Sequence, residues 1–135
     1  MDKREYQKKE EKLSQEIYQK KVALERAEDE RFLTQQIKSE VEDSHLEAMM
    51  TFEELGNRFF SAETELYILD LKQEEQIQQD KFQDLMAERL VKENRLRDNL
   101  EDELGYLQRR HQRLDDDYRK SQGQEKNPWF DFNNF

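Results

Sequence analysis

The chain has 135 residues, of which 41% are charged and 33% hydrophobic, and its formal net charge is −10. This negative charge argues against nucleic acid or an anionic membrane as a general partner, because both need clustered Lys and Arg. The absence of Cys excludes disulfides, thiolate metal sites and a cysteine nucleophile. One Pro and three Gly are too few for a loop-rich fold, so the composition favours long helices, with disorder as the competing interpretation.

The first ten residues, MDKREYQKKE, lack the apolar core of a signal peptide. The sequence contains no run of about 18 apolar residues, so no membrane-spanning segment is predicted. We therefore expect a cytoplasmic protein. If it leaves the cell, we expect co-secretion with a partner and without a cleaved signal peptide.

A first helix is predicted over residues 2–55. Apolar side chains recur along it at intervals that add up to a helical repeat, drifting between seven and eleven residues. The residues between them are mostly Glu, Lys, Gln and Ala, which favour helix. Ser44 and Thr51 each begin a capping-box pattern, so a break near Ser44 stays open. The predicted apolar stripe is Tyr6, Leu13, Ile17, Leu24, Leu33, Ile37, Val41, Leu46, Met49 and Phe52.

A turn is predicted over residues 56–61, followed by a second helix over 62–121. Gly56 and Asn57 are the residue types that most readily adopt the left-handed conformation after a helix, and Ser61 is a good N-cap. From residue 96 onward the apolar spacing is close to heptad, with His111 in one apolar position. A turn at Gly56 predicts that the numbers of facing residues add up to about 114, which pairs apolar residues such as Ile37 and Ile77.

These elements predict an all-α fold. Residues 1–122 would form a long antiparallel two-helix hairpin, similar to a coiled coil, and residues 123–135 a short, irregular, flexible tail. Gly123 and Pro128 are expected to end the second helix. The aromatic residues of the tail, including Trp129 and Phe130, either anchor it in a groove of a partner or pack against the open end of the hairpin.

The segment 46–71, LEAMMTFEELGNRFFSAETELYILDL, is the densest apolar block of the chain. One facing helix cannot cover all of it, and exposed apolar patches of this kind usually mark an interface, although a small local core is the alternative. Residues 27–88 contain 17 Asp or Glu and five Lys or Arg, which suits a partner with basic and apolar residues. The predicted partner-binding residues are Phe52, Leu55, Gly56, Phe59, Phe60, Leu66, Leu69, Trp129 and Phe130.

No residue pattern predicts catalysis, a cofactor or a bound metal. His45 lies near Asp43 and Glu47, but a metal site needs three or four converging ligands. Such neighbours are expected by composition on a highly charged helix. The aspartates at 115–117 lack the loop that would hold a hard cation. We therefore predict a protein that is not an enzyme.

The segment FEELGNRFF, followed by LDLKQEEQIQQDKFQDLMAERLVKENRLRDNLEDEL, resembles the small accessory proteins of LXG-domain toxins in the Gram-positive type VIIb secretion system. The chain is most similar to the DUF3958-type targeting factors, whose fold resembles the WXG100 hairpins, and the resemblance covers residues 1–121. Leu55-Gly56 stands where a Trp-x-Gly turn would be. The export signal of such systems is an aromatic residue with an acidic residue four positions later. It is not at its expected place here, because the residue four positions after Tyr118 is Gln122.

The resemblance implies a chaperone or targeting factor. It would bind the helical N-terminal LXG region of a secreted toxin, together with a second small helical accessory protein, and promote type VIIb export of the toxin. The alternative is a self-associating coiled-coil scaffold, such as a homodimer. A third and more distant hypothesis is a coiled-coil stalk component of another export apparatus.

Overall fold

The computed structural model describes residues 1–59 and 61–126, with side chains up to Gly123. Two α-helices make up nearly all of this part: α1 is Lys3–Arg58 and α2 is Ala62–Lys126. They pack against each other in two compact units. The terminal unit comprises Met1–Arg26 and the chain from Arg97 onward, and the hinge unit comprises Ala27–Leu96.

Side-chain caps mark the start of both helices. The backbone NH of Glu5 donates to Asp2 Oδ1 at 2.9 Å before α1, and the NH of Thr64 donates to Ser61 Oγ at 3.2 Å before α2. A cap of this kind typically stabilises a helix by ~1 kcal/mol. The predicted N-cap at Ser61 and the predicted start of the second helix at residue 62 are confirmed.

The predicted bend at Gly56 is wrong. α1 continues through this residue to Arg58, and no glycine in the described residues has a positive φ. The NH of Phe59 donates to the carbonyl of Leu55 at 3.0 Å, and Arg58 pairs with Glu54 at 2.7 Å. Because helical hydrogen bonding passes the glycine unbroken, the connection between the helices is confined to residues 59–61.

Two further features of the helices can be compared with the prediction: the continuity of α1 at Ser44 and the end of α2. α1 is continuous at Ser44, so the helix does not break there. α2 passes through Gly123 and ends at Lys126, beyond the predicted end at 121, because one Gly costs a helix only ~1 kcal/mol. The predicted irregular tail, from Asn127 onward, lies outside the described residues.

In the terminal unit the helices meet along a heptad face. The buried and half-buried positions of α1 recur in alternating steps of four and three residues, as in a coiled coil. Glu10 contacts His111 and Lys20 contacts Glu103, so residue numbers rise along α1 as they fall along α2. The predicted antiparallel arrangement and the half-buried heptad position of His111 are confirmed.

The hinge unit is also antiparallel, but its contact face is less apolar. Thr34 bonds to Glu93 and His45 lies 3.1 Å from Glu75. α1 keeps its steps of four and three, and from 68 onward the buried and half-buried positions of α2 follow the same steps except for two consecutive steps of four, at 82, 86 and 90. The contact positions along α1 are Tyr6, Glu10, Leu13, Ile17, Lys20, Leu24, Ala27, Arg31, Thr34, Lys38, Val41, His45, Ala48 and Phe52.

The predicted pairing register is wrong by about two helical turns. It places Glu10 opposite Leu104, whereas Glu10 contacts His111. Ile37 and Ile77, predicted to face each other, are 48% and 53% exposed. The shift has two physical causes: the connection lies after Gly56, and several of the positions that meet between the helices are polar.

Candidate functional site

The hinge unit exposes large apolar side chains on both helices. Leu66 is 64% exposed and Leu85 62%, although both lie in regular helix. Single apolar residues on a surface are ordinary, but a surface rich in them usually marks an interface. The exposed large apolar residues of this unit are Phe32, Leu33, Ile37, Leu46, Met50, Leu55, Phe59, Leu66, Tyr67, Leu69, Ile77, Leu85, Val91 and Leu96.

The interior of the same unit contains a polar layer, made of buried polar side chains at two separate levels, one at Thr34 with Glu93 and one at Gln79. Thr34 and Gln79 are the most buried polar side chains, at 2% and 5% exposure. The Thr34 hydroxyl donates to Glu93 Oε1 at 2.6 Å, and Arg89 Nε donates to the same oxygen at 3.1 Å. Buried polar positions of this kind lower the stability of a helix pair and specify which turns face each other.

The hinge unit therefore buries polar as well as apolar side chains: Thr34 and Gln79 are buried, as are Ala27 and Ile68. Burying a Leu or Ile side chain contributes about 1.5–3 kcal/mol, and an isolated pair gains this by placing such residues between its helices. Here Thr34 and Gln79 lie between the helices, while Leu66 and Ile77 face outward. This distribution is typical of helices whose outer faces have further neighbours.

The hinge unit also accounts for the net charge of the chain. Residues 27–96 contain 18 Asp or Glu and eight Lys or Arg, whereas the other residues contain 15 of each sign. The acidic side chains reach the apolar surface near the connection between the helices. A groove of about 550 Å³ is lined by Glu47, Glu53 and Glu54 together with Met50. An acidic, apolar surface favours a partner that is basic and apolar.

The predicted partner-binding residues fall into three groups. Phe52 is half-buried at a contact position between the helices. Gly56 is half-buried as well, and a Cβ built on it would lie 3.8 Å from Cδ1 of Ile68. The exposed group is Leu55, Phe59, Leu66 and Leu69, at 37%, 55%, 64% and 50%, and the group outside the described residues is Phe60, Trp129 and Phe130.

The predicted pairing places Leu33, Ile37 and Ile77 between the helices, whereas the structure exposes all three. The signal that separates them is the spacing of α1. Steps of four and three from Tyr6 pass through Thr34 and skip Leu33 and Ile37. This signal is visible only when polar residues are admitted to contact positions, as coiled coils allow.

The terminal unit has a polar cluster of its own, centred on Tyr6. The hydroxyl of Tyr6 donates to the carboxylate of Asp115, and its ring stacks on that of Tyr118, with centroids 4.0 Å apart and planes within 8°. This hydrogen bond, with the negative charge behind it, raises the pKa of Tyr6 to about 12. The cluster thus joins the two helices through one hydrogen bond and one aromatic stack.

A second cluster, around Glu10, lies beside it. Ser14 Oγ donates to Glu10 Oε1 at 2.9 Å, and His111 Nε2 lies 3.2 Å from the same oxygen. The Ser14 hydrogen bond, followed by that of His111, holds the pKa of Glu10 below its ordinary value. His111 Nδ1 also lies 3.7 Å from Asp115. In the described part of the chain no group of three or more His, Asp or Glu is arranged to hold a metal ion.

Comparison with known proteins gives no match: no family model, no curated protein and no solved structure matches this chain. Within residues 1–59 and 61–126, neither helix is long and apolar enough to cross a membrane. The feature that most sets this chain apart from a simple helix pair is the surface of the hinge unit, where exposed apolar side chains coincide with the excess of negative charge.

Proposed function

We propose that this chain is a non-enzymatic binding protein whose hinge unit docks against helices of another protein. The observation that carries the proposal is the distribution of side chains in this unit: Thr34 and Gln79 are buried, while Leu66, Leu69 and Ile77 are at least half exposed. Partner helices packed on the outer faces would bury those apolar side chains and leave the polar layer undisturbed.

The charge of the hinge unit indicates the chemistry of the partner. With 18 acidic and eight basic residues in this unit, a partner helix gains most when its apolar stripe is flanked by Lys or Arg. Such charges speed association and discriminate against acidic competitors more than they raise affinity. The exposed apolar residues supply the contact area.

In a cell, the proposed role of such a binding protein is that of a chaperone or targeting factor. The resemblance to accessory proteins of the type VIIb system supplies the candidate partner, the helical LXG region of a secreted toxin. The hinge unit would cover that region in the cytoplasm, keep it soluble and accompany it to export. A second small helical accessory protein would complete the complex.

Self-association is the second candidate function. A second copy of the chain also offers exposed apolar residues such as Leu66 and Ile77. Bringing two hinge units together opposes two net negative surfaces, which costs free energy. A scaffold would have to offset that repulsion.

Co-expression with the products of the neighbouring genes, followed by a pull-down, tests the first proposal. We expect a helical protein to copurify, and Leu69→Asp or Phe59→Asp to abolish its recovery. Tyr18→Asp is the matched control, because Tyr18 is 68% exposed and lies in the terminal unit. All three variants should keep their far-UV helicity, since each side chain is at least half exposed.

The oligomeric state of the purified chain separates the two candidates. Light scattering coupled to size exclusion should give a monomer if the partner is a different protein. A stable homodimer that dissociates in Leu69→Asp, with no neighbour copurifying, would replace the chaperone proposal with the scaffold. A global loss of helix in the hinge variants would assign these residues to the core.

A further inference from the structure

A groove in the terminal unit has a chemistry opposite to that of the hinge unit. It has a volume of about 590 Å³ and lies between α1 and α2, with Leu13 and Leu114 among its lining residues. Leu13 is only 7% exposed and Leu114 is half-buried, so they form the apolar floor of the groove. Both lie on the heptad face where the two helices meet.

The walls of this groove carry more positive than negative charge. α1 contributes Lys9 and Lys12, and α2 contributes Arg110 and Arg113. The negative wall residues are Glu16 and Asp117. Lys9 pairs with Glu5 at 3.6 Å, whereas no ion pair within the described residues involves Lys12, Arg110 or Arg113.

Tyr106 adds an aromatic surface to the same groove. It is 55% exposed, and the guanidinium carbon of Arg110 lies 5.7 Å from its ring centroid. A cation–π contact at this distance orients the guanidinium and leaves its NH groups available. An exposed ring, two Arg forks and a leucine floor together suit a ligand that combines carboxylates with an apolar side chain.

We propose that this groove binds a short acidic peptide segment of another protein. Carboxylates of the segment would bind Arg110 and Arg113 at one wall and Lys12 at the other, while an aromatic or aliphatic side chain packs over Leu13 and Leu114. From Lys9 to Glu16 the groove follows two turns of α1, about 11 Å, which matches three or four residues of extended peptide. The segment is therefore short, and its chemistry is opposite to that of the basic helix that suits the hinge unit.

Charge also selects peptide over nucleic acid as the ligand. The carboxylates of Glu16 and Asp117 lie in the groove itself, and a polyphosphate backbone would meet both. A peptide can place its few acidic side chains beside the cations and an apolar one beside the floor. This site is independent of the proposed hinge interface, because all its residues belong to the terminal unit.

Fluorescence anisotropy on the full chain tests the proposal. The probe is a labelled peptide of about ten residues with several Glu and one central Phe, and a second probe carries Gln in place of Glu. We expect saturable binding of the acidic probe, weakened by salt, and at least about tenfold weaker binding of the Gln probe. Replacing the Phe of the acidic probe by Ser should also weaken binding.

Two double variants with the same charge change locate the site. Arg110→Gln with Arg113→Gln should weaken binding about tenfold, since each removes a guanidinium that can bind a carboxylate. Lys8→Gln with Arg109→Gln is the control, because both residues are exposed in the same unit and neither lines the groove. We expect its affinity to stay within about twofold.

Lys12→Gln is a third variant in an exposed position that should keep the fold, and we expect about threefold weaker binding. Three results would overturn the proposal: no binding of the acidic probe at millimolar protein, equal losses in the groove and control pairs, or tighter binding of a single-stranded DNA probe of equal charge. Leu69→Asp should leave peptide affinity unchanged, so failure here and failure of the hinge proposal are distinguishable.

Discussion

The terminal unit and the hinge unit are built from the same two helices, yet they differ in which polar and apolar residues they bury. In the terminal unit, Leu13 and Leu107 are buried and the charges of both signs balance. In the hinge unit, Thr34 and Gln79 are buried alongside Ala27 and Ile68, several leucines are exposed, and acidic residues predominate. The first arrangement suits a self-sufficient helix pair, and the second suits a pair that is completed by a partner.

The largest expected effect compares one leucine from each unit. Leu107→Ala removes a side chain that is 93% buried in the terminal unit and should lower the free energy of unfolding by about 2–4 kcal/mol. Leu66→Ala makes the same chemical change in the hinge unit, where the side chain is 64% exposed, and should change it by less than about 0.5 kcal/mol. Urea unfolding followed by circular dichroism measures both. Equal losses of unfolding free energy would contradict the difference in burial between Leu107 and Leu66.

The second effect is a gain in unfolding free energy, whereas most substitutions at buried positions lower it. Gln79→Leu replaces a buried amide in the hinge unit by an apolar side chain, and we expect a gain of about 1 kcal/mol in unfolding free energy. Gln78→Leu is the control, because Gln78 is its exposed neighbour and should leave the value nearly unchanged. A clear loss of stability in Gln79→Leu, measured in the same unfolding experiment, would show that this amide stabilises the unit.

A third and smaller effect concerns the two glycines inside the helices. Gly56 lies in the hinge unit and Gly105 in the terminal unit, and neither has a positive φ. A Cβ at Gly56 meets Ile68 at an ordinary 3.8 Å, and one at Gly105 meets the flexible end of Arg109 at 3.3 Å. Both Gly→Ala variants should therefore raise the unfolding free energy by roughly 0.5–1 kcal/mol. Destabilisation by Gly56→Ala alone, seen as a lower Tm, would restore its role as a bend.

The fourth effect is spectroscopic. The pKa of Tyr6, raised to about 12, predicts that this phenol ionises late in an alkaline titration at the tyrosinate absorption band. The titration curve of the unchanged chain minus that of Tyr6→Phe should show a step near pH 12. Tyr67→Phe is the control, because Tyr67 is 65% exposed and lies in the hinge unit. A step near the ordinary value of 10.0 would show that Tyr6 does not donate to Asp115 in solution.

The direction in which stability changes with pH follows from the clusters around Tyr6 and Glu10. The raised pKa of Tyr6 contributes stability that is present below pH 10 and is lost as the pH rises through about 12. The pKa of Glu10 is depressed, so its contribution is present above the ordinary carboxyl value and is lost as the pH falls through the folded-state value. Glu10→Gln should flatten the acid limb of the stability curve and change the alkaline limb only slightly, because the charge of Glu10 is a minor cause of the raised pKa of Tyr6.

The sequence predicts the elements of this fold better than their pairing. The all-α class, the antiparallel arrangement, the Ser61 cap and the heptad position of His111 follow from composition, capping chemistry and spacing, and all are confirmed. These are local properties, and each residue contributes to them through its immediate neighbours. They hold equally in both units.

The register and the site escape prediction because the connection lies after Gly56 and because several contact positions are polar. The prediction places the turn at Gly56 because of its residue type, and it then assumes that apolar residues such as Ile37 and Ile77 meet between the helices. In the hinge unit that assumption fails, because Thr34 and Gln79 occupy the contact positions. Apolar periodicity marks every helix face that becomes buried, whether against the same chain or against another protein. A single sequence does not distinguish these two kinds of burial.

The hydrogen bond from Thr34 to Glu93 has a consequence for how a partner enters the complex. An apolar helix that invaded the hairpin and displaced α2 would remove the Glu93 carboxylate from the Thr34 hydroxyl and leave it only the carbonyl of Glu30, 3.0 Å away in its own helix. The carboxylate of Glu93, which also binds Arg89, would have to be accommodated elsewhere. We therefore expect these polar contacts to disfavour exchange of α2 for a partner helix, so that a partner would pack on the outside of the intact hairpin.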